Sequence, residues 1–277
     1  MDVCISSSIK HPVVSGVATT GLEWDGNQEA ALRRMLYWAT PFAIYDATYI
    51  FKAFPKGPKT GTNPHYWTMF FWGNNGTFIW DAGSANTYYG AHPYPFDGAD
   101  QDTGQNWEVS VISNDFSFVT PNAGAEVDPW NSWYTQVFRA WRESATVTHH
   151  EFYWDWPDTA KVIEHTIDFA PWADADPPTP CICVGQAPDL NGVGANSGQS
   201  WGGFVGYEEY KGIIRGMQFY NSLLSLANVT SELASPGSVV TPWYLNLNPT
   251  PSDVTDKSGS GNHPTWDGAS RPALWQG

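Results

Sequence analysis

The sequence predicts an all-β protein built from antiparallel strands, with one or two short helices. Three observations carry that expectation. Aromatic residues make up 16% of the 277 residues, with 16 Trp, while charged residues are only 15%. Aromatic side chains suit a half-buried pleated surface better than a helix. The 26 Gly and 21 Pro fall between short apolar runs, where they read as turns. Finally, the stretch from Gly212 to Tyr220 reads as a long buried strand. On alternation, Ile214, Gly216, Gln218 and Tyr220 share one face, and Ile213, Arg215, Met217 and Phe219 share the other.

Length and charge bound the rest. One all-β domain over residues 1–277 is expected, since sheet proteins of this size often form a single unit. Residues 1–19 are a candidate N-terminal arm. The formal net charge is −15, with 13 basic against 28 acidic residues. That disfavours nucleic acid, whose phosphates need a Lys/Arg surface, and anionic membranes. No apolar run is long enough to cross a bilayer and no signal peptide is seen, so membrane insertion is not expected, and the chain is either used without Sec export or is a mature form, with extracellular, surface and virion-associated locations as candidates. Three cysteines, Cys4, Cys181 and Cys183, do not make a disulfide framework. Cys181 and Cys183 read as small core residues on one strand.

The elements follow in order. Thr20 to Asn27 is an opening strand closed by the turn pair Asp25-Gly26. Gln28 to Leu36 is a helix candidate, rich in Ala, Leu, Arg and Glu, although Tyr37 and Trp38 also suit a strand. Phe42 to Phe54 is a long strand. Tyr66 to Trp80 is a hairpin turning at Asn74, Asn75 and Gly76. Asp81 to Asp102 is a long irregular stretch, of the kind that is usually functional in a compact domain. Trp107 to Val111 and Phe116 to Thr120 form another hairpin. Trp133 to Trp141, Thr146 to Trp154 and Ala160 to Ile167 form a meander. Cys181 to Gly185 is a buried strand, and 186–203 is a Gly/Asn/Ser loop bearing Trp201. After the strand ending at Tyr220, Ser225 caps a helix running through Leu226 to Val229, its hydroxyl accepting a free backbone N–H.

Four segments carry a resemblance. Leu22-Glu23-Trp24-Asp25-Gly26 resembles a G-L-x-F-D-G strand. Ile214-Arg215-Gly216, with Tyr220 and then Leu224-Ser225, resembles an I-R-G-x-x-x-Y strand followed by L-S-x-A-x-I. Trp133-Tyr134 with Arg139 resembles a central W-Y-x-x-A-x-R segment, and Asp253 to His263 resembles a D-x-S-G-N-G-N-H segment. Together they resemble the laminin-G-like (LamG) domains of the concanavalin A-like lectin/glucanase superfamily. The resemblance implies a two-sheet antiparallel jelly-roll β-sandwich. The D-x-S-G segment usually precedes the F-D-G strand, but here it lies near the other end of the chain. Either the order is permuted and residues 236–277 pack beside 20–27, which is favoured, or this segment completes a neighbouring copy.

The resemblance implies non-catalytic recognition of a carbohydrate or surface, lectin-like or adhesive, and leans against an enzyme. The partners would be a glycan or a cell or virion surface, with a homo-oligomer as a further candidate. Aromatic rings stack on sugar faces and polar groups take the hydroxyls. Asp81, Asn86, Tyr88, Tyr89, His92 and Tyr94 in the irregular stretch, with Trp201, are the ligand-binding candidates. No cofactor is required, but Ca²⁺ fits the family, and Asp97, Asp100 and Asp102 offer three carboxylates in one loop. Asp253 and Asp256 offer two more. The first alternative is a structural or decoration subunit of a virion or surface layer. The second is a glycoside hydrolase or polysaccharide lyase, for which Glu151 and Asp155 are the nearest acid pair, without the family's Glu-x-Asp spacing.

Overall fold

A computed structural model describes residues 19–26, 34–38, 46–56, 70–74, 88–94, 106–112, 131–144, 147–153, 155–157, 161–166, 180–185, 200–201, 204–205, 210–267 and 270–277. The protein is mostly β, in antiparallel sheets, with little helix. The larger sheet is built on β13 (Lys211–Tyr220) and β3 (Ala47–Pro55), which pair along nearly their whole length, from Gly212↔Pro55 to Tyr220↔Thr48. Beyond β3 lie β7 (Tyr134–Arg142), β8 (Val147–Tyr153) and β9 (Lys161–Thr166). On the far side of β13 lie β1 (Thr20–Asp25) and then β16 (Ala273–Gln276). The strand β14 (Tyr244–Asn246) also pairs with β13. The second sheet runs β15 (Thr265–Asp267), β2 (Met35–Trp38), β10 (Pro180–Val184), β4 (Phe70–Asn74), β5 (Tyr88–Tyr94) and β6 (Asn106–Ile112). A short ladder joins β11 (Ser200–Trp201) to β12 (Phe204–Val205).

The two sheets share one apolar core. It draws Leu22, Trp24, Phe51, Phe138, Met217 and Phe219 from the larger sheet and Leu36, Trp38, Ile182 and Val184 from the other. Trp38 meets Phe219 and Tyr244 edge-to-face, with ring centroids 5.2 and 4.8 Å apart. Such pairs add to the burial of the rings themselves. The Trp24 indole donates to the Arg34 carbonyl at 2.8 Å, so its polar atom is satisfied inside the core. Gly185 lies against this ring with φ +89°, and a Cβ there would sit 2.2 Å from Trp24 Cε2, so no larger residue fits. Cys183 is buried, as expected of a core cysteine. Gln136 is fully buried on β7, and neither of its side-chain polar atoms has a hydrogen-bond partner among the described residues.

The opposite face of the larger sheet is partly covered by α1 (Leu226–Ala234), the one helix among the described residues. Ser225 caps it as the sequence predicts, its side chain accepting from the Asn228 N–H at 3.1 Å. Leu224 and Val229 pack on Ile50, Val137, Tyr153 and Tyr220. The Glu232 carboxylate, fully buried, accepts from the N–H groups of Gly237, Val239 and Val240 and from the Tyr220 hydroxyl, and so ties the turn after α1 to the sheet.

Several expected elements differ. The alternation expected along β13 breaks at a bulge between Ile214 and Gly216. Ile214 reaches the core before it, and Met217 and Phe219 reach the same core after it. An extra residue resets the parity of a strand. The bulge also lies where the edge partner changes. β1 pairs with Lys211 to Ile214, and β14 takes over at Met217 to Phe219. The end of the helix expected from Gln28 to Leu36 is strand instead, because Leu36 and Tyr37 pair with Val184 and Cys183; residues 28–33 lie outside the described residues. Phe70 to Asn74 is a strand, paired with β10 and β5; the rest of the hairpin expected over Tyr66 to Trp80 lies outside the described residues. Tyr88 to Tyr94, expected to be irregular, is a strand paired on both edges, its Gly90 and Pro93 having disguised it.

The tail folds back along the same chain. Ala273 to Gln276 pair with Glu23 to Thr20, Thr265 to Asp267 pair with β2, and the Gly277 N–H donates to the Thr19 carbonyl at 3.2 Å. No helix among the described residues is long and apolar enough to cross a membrane.

Candidate active site

The outward face of the β7–β8 hairpin gathers a cluster of ionisable and aromatic side chains. The register places Trp141 opposite His149, Arg139 opposite Glu151, and Val137 opposite Tyr153. Side chains two apart on a strand share a face, so His149, Glu151 and Tyr153 form one file and Trp141, Arg139 and Val137 the other. Consecutive members of a file lie about 7 Å apart at the Cα atoms.

Glu151 is held from two sides. Arg139 forms an ion pair with its Oε2, and the Tyr153 hydroxyl donates to its Oε1 at 3.1 Å. Both side chains of the ion pair are only 11% exposed. Arg139 is itself positioned by donating from Nε to the Leu224 carbonyl at 2.9 Å, a contact that comes from the loop before α1. Burial pulls the Arg139 guanidinium below its ordinary range, with Tyr153 opposing. Burial pushes the Tyr153 hydroxyl up, with Arg139 opposing. The hydroxyl therefore stays protonated as a donor at neutral pH.

His149 is fixed just as firmly. It stacks flat on Trp141, with centroids 4.8 Å apart and planes 8° from parallel. Its Nε2 pairs with Glu143, whose side chain is 63% exposed and opens this end of the file to solvent. The Arg139 guanidinium lies 5.6 Å from the Trp141 ring centroid. The other end of the file is closed by Tyr153 against Trp156 and the α1 cluster.

The arrangement brings together a carboxylate with two fixed donors and an imidazole with a fixed carboxylate partner. Each Glu151 oxygen has a lone pair left after its present bond, so a water could be held there. Asp155, expected as the partner acid of Glu151, is used differently: its Oδ1 accepts from the Thr135 N–H at 3.0 Å. Arg139, Trp141, Glu143, His149 and Tyr153 were not singled out from sequence. The signal that locates them is the hairpin register, which puts three spaced residues of each strand on one face.

The remaining candidates are placed as follows. Tyr88, Tyr89, His92 and Tyr94 lie on β5, and Trp201 lies on β11. Asp81, Asn86, Asp97, Asp100 and Asp102 lie outside the described residues. Among the described residues, no group of three or more His, Cys, Asp and Glu is arranged to hold a metal ion. Asp256, offered as a calcium ligand, is filled by protein donors instead. It accepts from the N–H groups of Leu245, Ser258 and Asn262 and from the Ser258 hydroxyl. Asp253 is engaged by Lys257 and Thr255. The D-x-S-G segment is therefore a turn organised by its own carboxylates.

No protein-family profile matches the chain, and no curated protein matches it. Among solved structures it is similar to scytalido-glutamic peptidase bound to a transition state analog inhibitor. That likeness has 10% identity and a TM-score of 0.37, and covers 88% of this chain and 100% of that one. A second is SCP-B, of the eqolisin family of peptidases, in complex with a tripeptide, at 9% identity and a TM-score of 0.33, covering 88% and 100%. These likenesses are too distant to transfer chemistry. The expectation of a lectin-like, adhesive, laminin-G-like or virion protein is corrected to this extent: the similar structures named here are peptidases, not proteins of those kinds.

Proposed function

We propose that the chain is a hydrolase that activates water at Glu151, with His149 as the proton donor, on an acyl bond of the ester or amide type. One observation carries this reading. Glu151 and His149 stand next to each other on one face of β8, each locked by its own partners. Fixed geometry of base and acid is what general acid–base catalysis needs. The water proton passes to Glu151 as its oxygen bonds to the substrate carbon. The carbon–leaving-group bond breaks, and the leaving group takes a proton from His149. Transfer of a proton from Glu151 back to His149 resets the site. Arg139 has N–H groups beyond those on Glu151 and Leu224 to offer a developing oxyanion. Trp141 and the exposed Glu143 side form the open approach.

An acyl bond is favoured over a glycosidic one because the residue next to Glu151 on this face is an imidazole, and the other carboxylate of the cluster, Glu143, is engaged by it. For the fold, the core common to both sheets supports a two-layer jelly roll. The test uses p-nitrophenyl acetate and a mixed-sequence fluorogenic peptide pool, with p-nitrophenyl glycosides as the contrast. Glu151→Gln is expected to lower kcat by about 10²–10⁴-fold. His149→Gln is expected to lower kcat by a similar factor. Cleavage of glycosides alone would move the reading to the glycosidic class. No hydrolysis by the folded protein, or full activity in Glu151→Gln, would sink it.

A further inference from the structure

A second polar patch lies on the same face of the larger sheet, beyond the helix-covered middle. Lys52 pairs in register with Gly216 and Thr135, and Arg215 sits in the adjacent bulge. These two cations repel each other: burial pulls Lys52 below its ordinary range, and the charge of Arg215 lowers it further. Burial likewise lowers Arg215. Neither has an ion-pair partner among the described residues, and Arg215 Nε is a buried donor with no acceptor. Of the acids on neighbouring strands and turns, Glu23 is taken by Lys56, and Asp155 accepts from the Thr135 N–H. Half-buried cations are ordinarily paired, because desolvation of an uncompensated charge is costly. Here two are left together in a chain of net charge −15.

Aromatic rings lie beside the two cations. Arg215 lies over Trp133, its Cζ 3.9 Å from the ring centroid. Trp133 in turn packs on Trp275 and Phe54, with centroids 5.1 and 5.3 Å away. Two glycines adjoin the pair. Gly21 stands beside Trp275 on β1, where a Cβ would come within 3.1 Å of Arg215 Cβ, and Gly216 stands beside Lys52. A guanidinium fork and an ammonium, next to small residues and aromatic rings, match the chemistry of an oxyanion.

We propose that Lys52 and Arg215, beside Trp133 and Trp275, form a binding site for a carboxylate or phosphate group. The site is independent of the acyl-hydrolase reading: Lys52 lies opposite Thr135, about 13 Å along β7 from Arg139. The test is calorimetric titration and thermal unfolding of the full chain with sodium phosphate and with sodium acetate, against sodium chloride at equal ionic strength. Phosphate or acetate should bind saturably at one site and raise Tm with concentration, whereas chloride should not. A stronger response to acetate identifies a carboxylate ligand, and a stronger response to phosphate a phosphoryl one. Lys52→Met and Arg215→Leu should each weaken binding by about tenfold or more. Glu151→Gln should bind as the wild type does. Without added anion, Lys52→Met should melt higher than the wild type, because a repulsion has gone. Equal responses to all three salts, or unchanged binding in Lys52→Met, would overturn the proposal. So would a Lys52→Met variant that melts lower than wild type in anion-free buffer.

Discussion

Glu232 shows how one carboxylate can be both deeply buried and ionised. Burial raises its pKa, but hydrogen bonds from Val240, Val239, Gly237 and Tyr220 outweigh that and hold it below its ordinary 4.5. Asp256 is the same case, with burial outweighed by its bonds to Ser258, Leu245 and Asn262. A carboxylate depressed in the folded state stabilises the fold above its unfolded pKa, and that contribution disappears as pH falls through the folded value. The urea midpoint should therefore fall steadily below about pH 4.5, and more shallowly in Glu232→Gln. At pH 7, Glu232→Ala should cost about 3 kcal/mol in urea unfolding, because several buried donors lose their acceptor. Asp253 is also lowered, to about 2, chiefly by Lys257. Its side chain is 49% exposed, so screening leaves it little weight in the total.

Local elements were the most legible part of the sequence. The β13 strand, its Ser225 cap and the β7–β8–β9 meander are set by alternation, turn residues and one hydroxyl, all read within a short window. Ser225→Ala should destabilise the protein by about 1 kcal/mol, and hydrogen exchange should rise first in the opening turn of α1. The bulge was not legible, because it reflects a change of edge partner from β1 to β14, segments far away in the chain. β2 and β5 were hidden for related reasons. Met35 to Trp38 follows a helix-forming run, and Tyr88 to Tyr94 contains Gly90 and Pro93, yet sheet neighbours on both sides override those preferences. At the site, Glu151 could be named from sequence, but its partners could not. Arg139 reaches it through strand register, and Leu224 holds Arg139 through a contact 85 residues away in sequence.

At the scale of the molecule, the two sheets depend on the segment after α1. β14 completes an edge of β13, β15 edges the second sheet, and β16 covers β1. Removing residues 270–277 should leave β1 with an open edge, lower Tm and shift the protein toward self-association, read by light scattering. A truncated chain that stays as stable and as dispersed as the full one would show that β16 is dispensable.

The pairing of β1 also has a consequence during synthesis. Leu22 pairs with Ile214 and Leu274, roughly 190 and 250 residues later in the chain. At ribosomal rates of 5–20 residues per second, β1 waits about 10–40 s for its first partner. Through that interval the nascent chain carries an apolar strand, with Leu22 and Trp24, whose partner strand has not yet been made. Chaperone occupancy on ribosome-bound chains should therefore persist until β13 has cleared the exit tunnel, and drop only then.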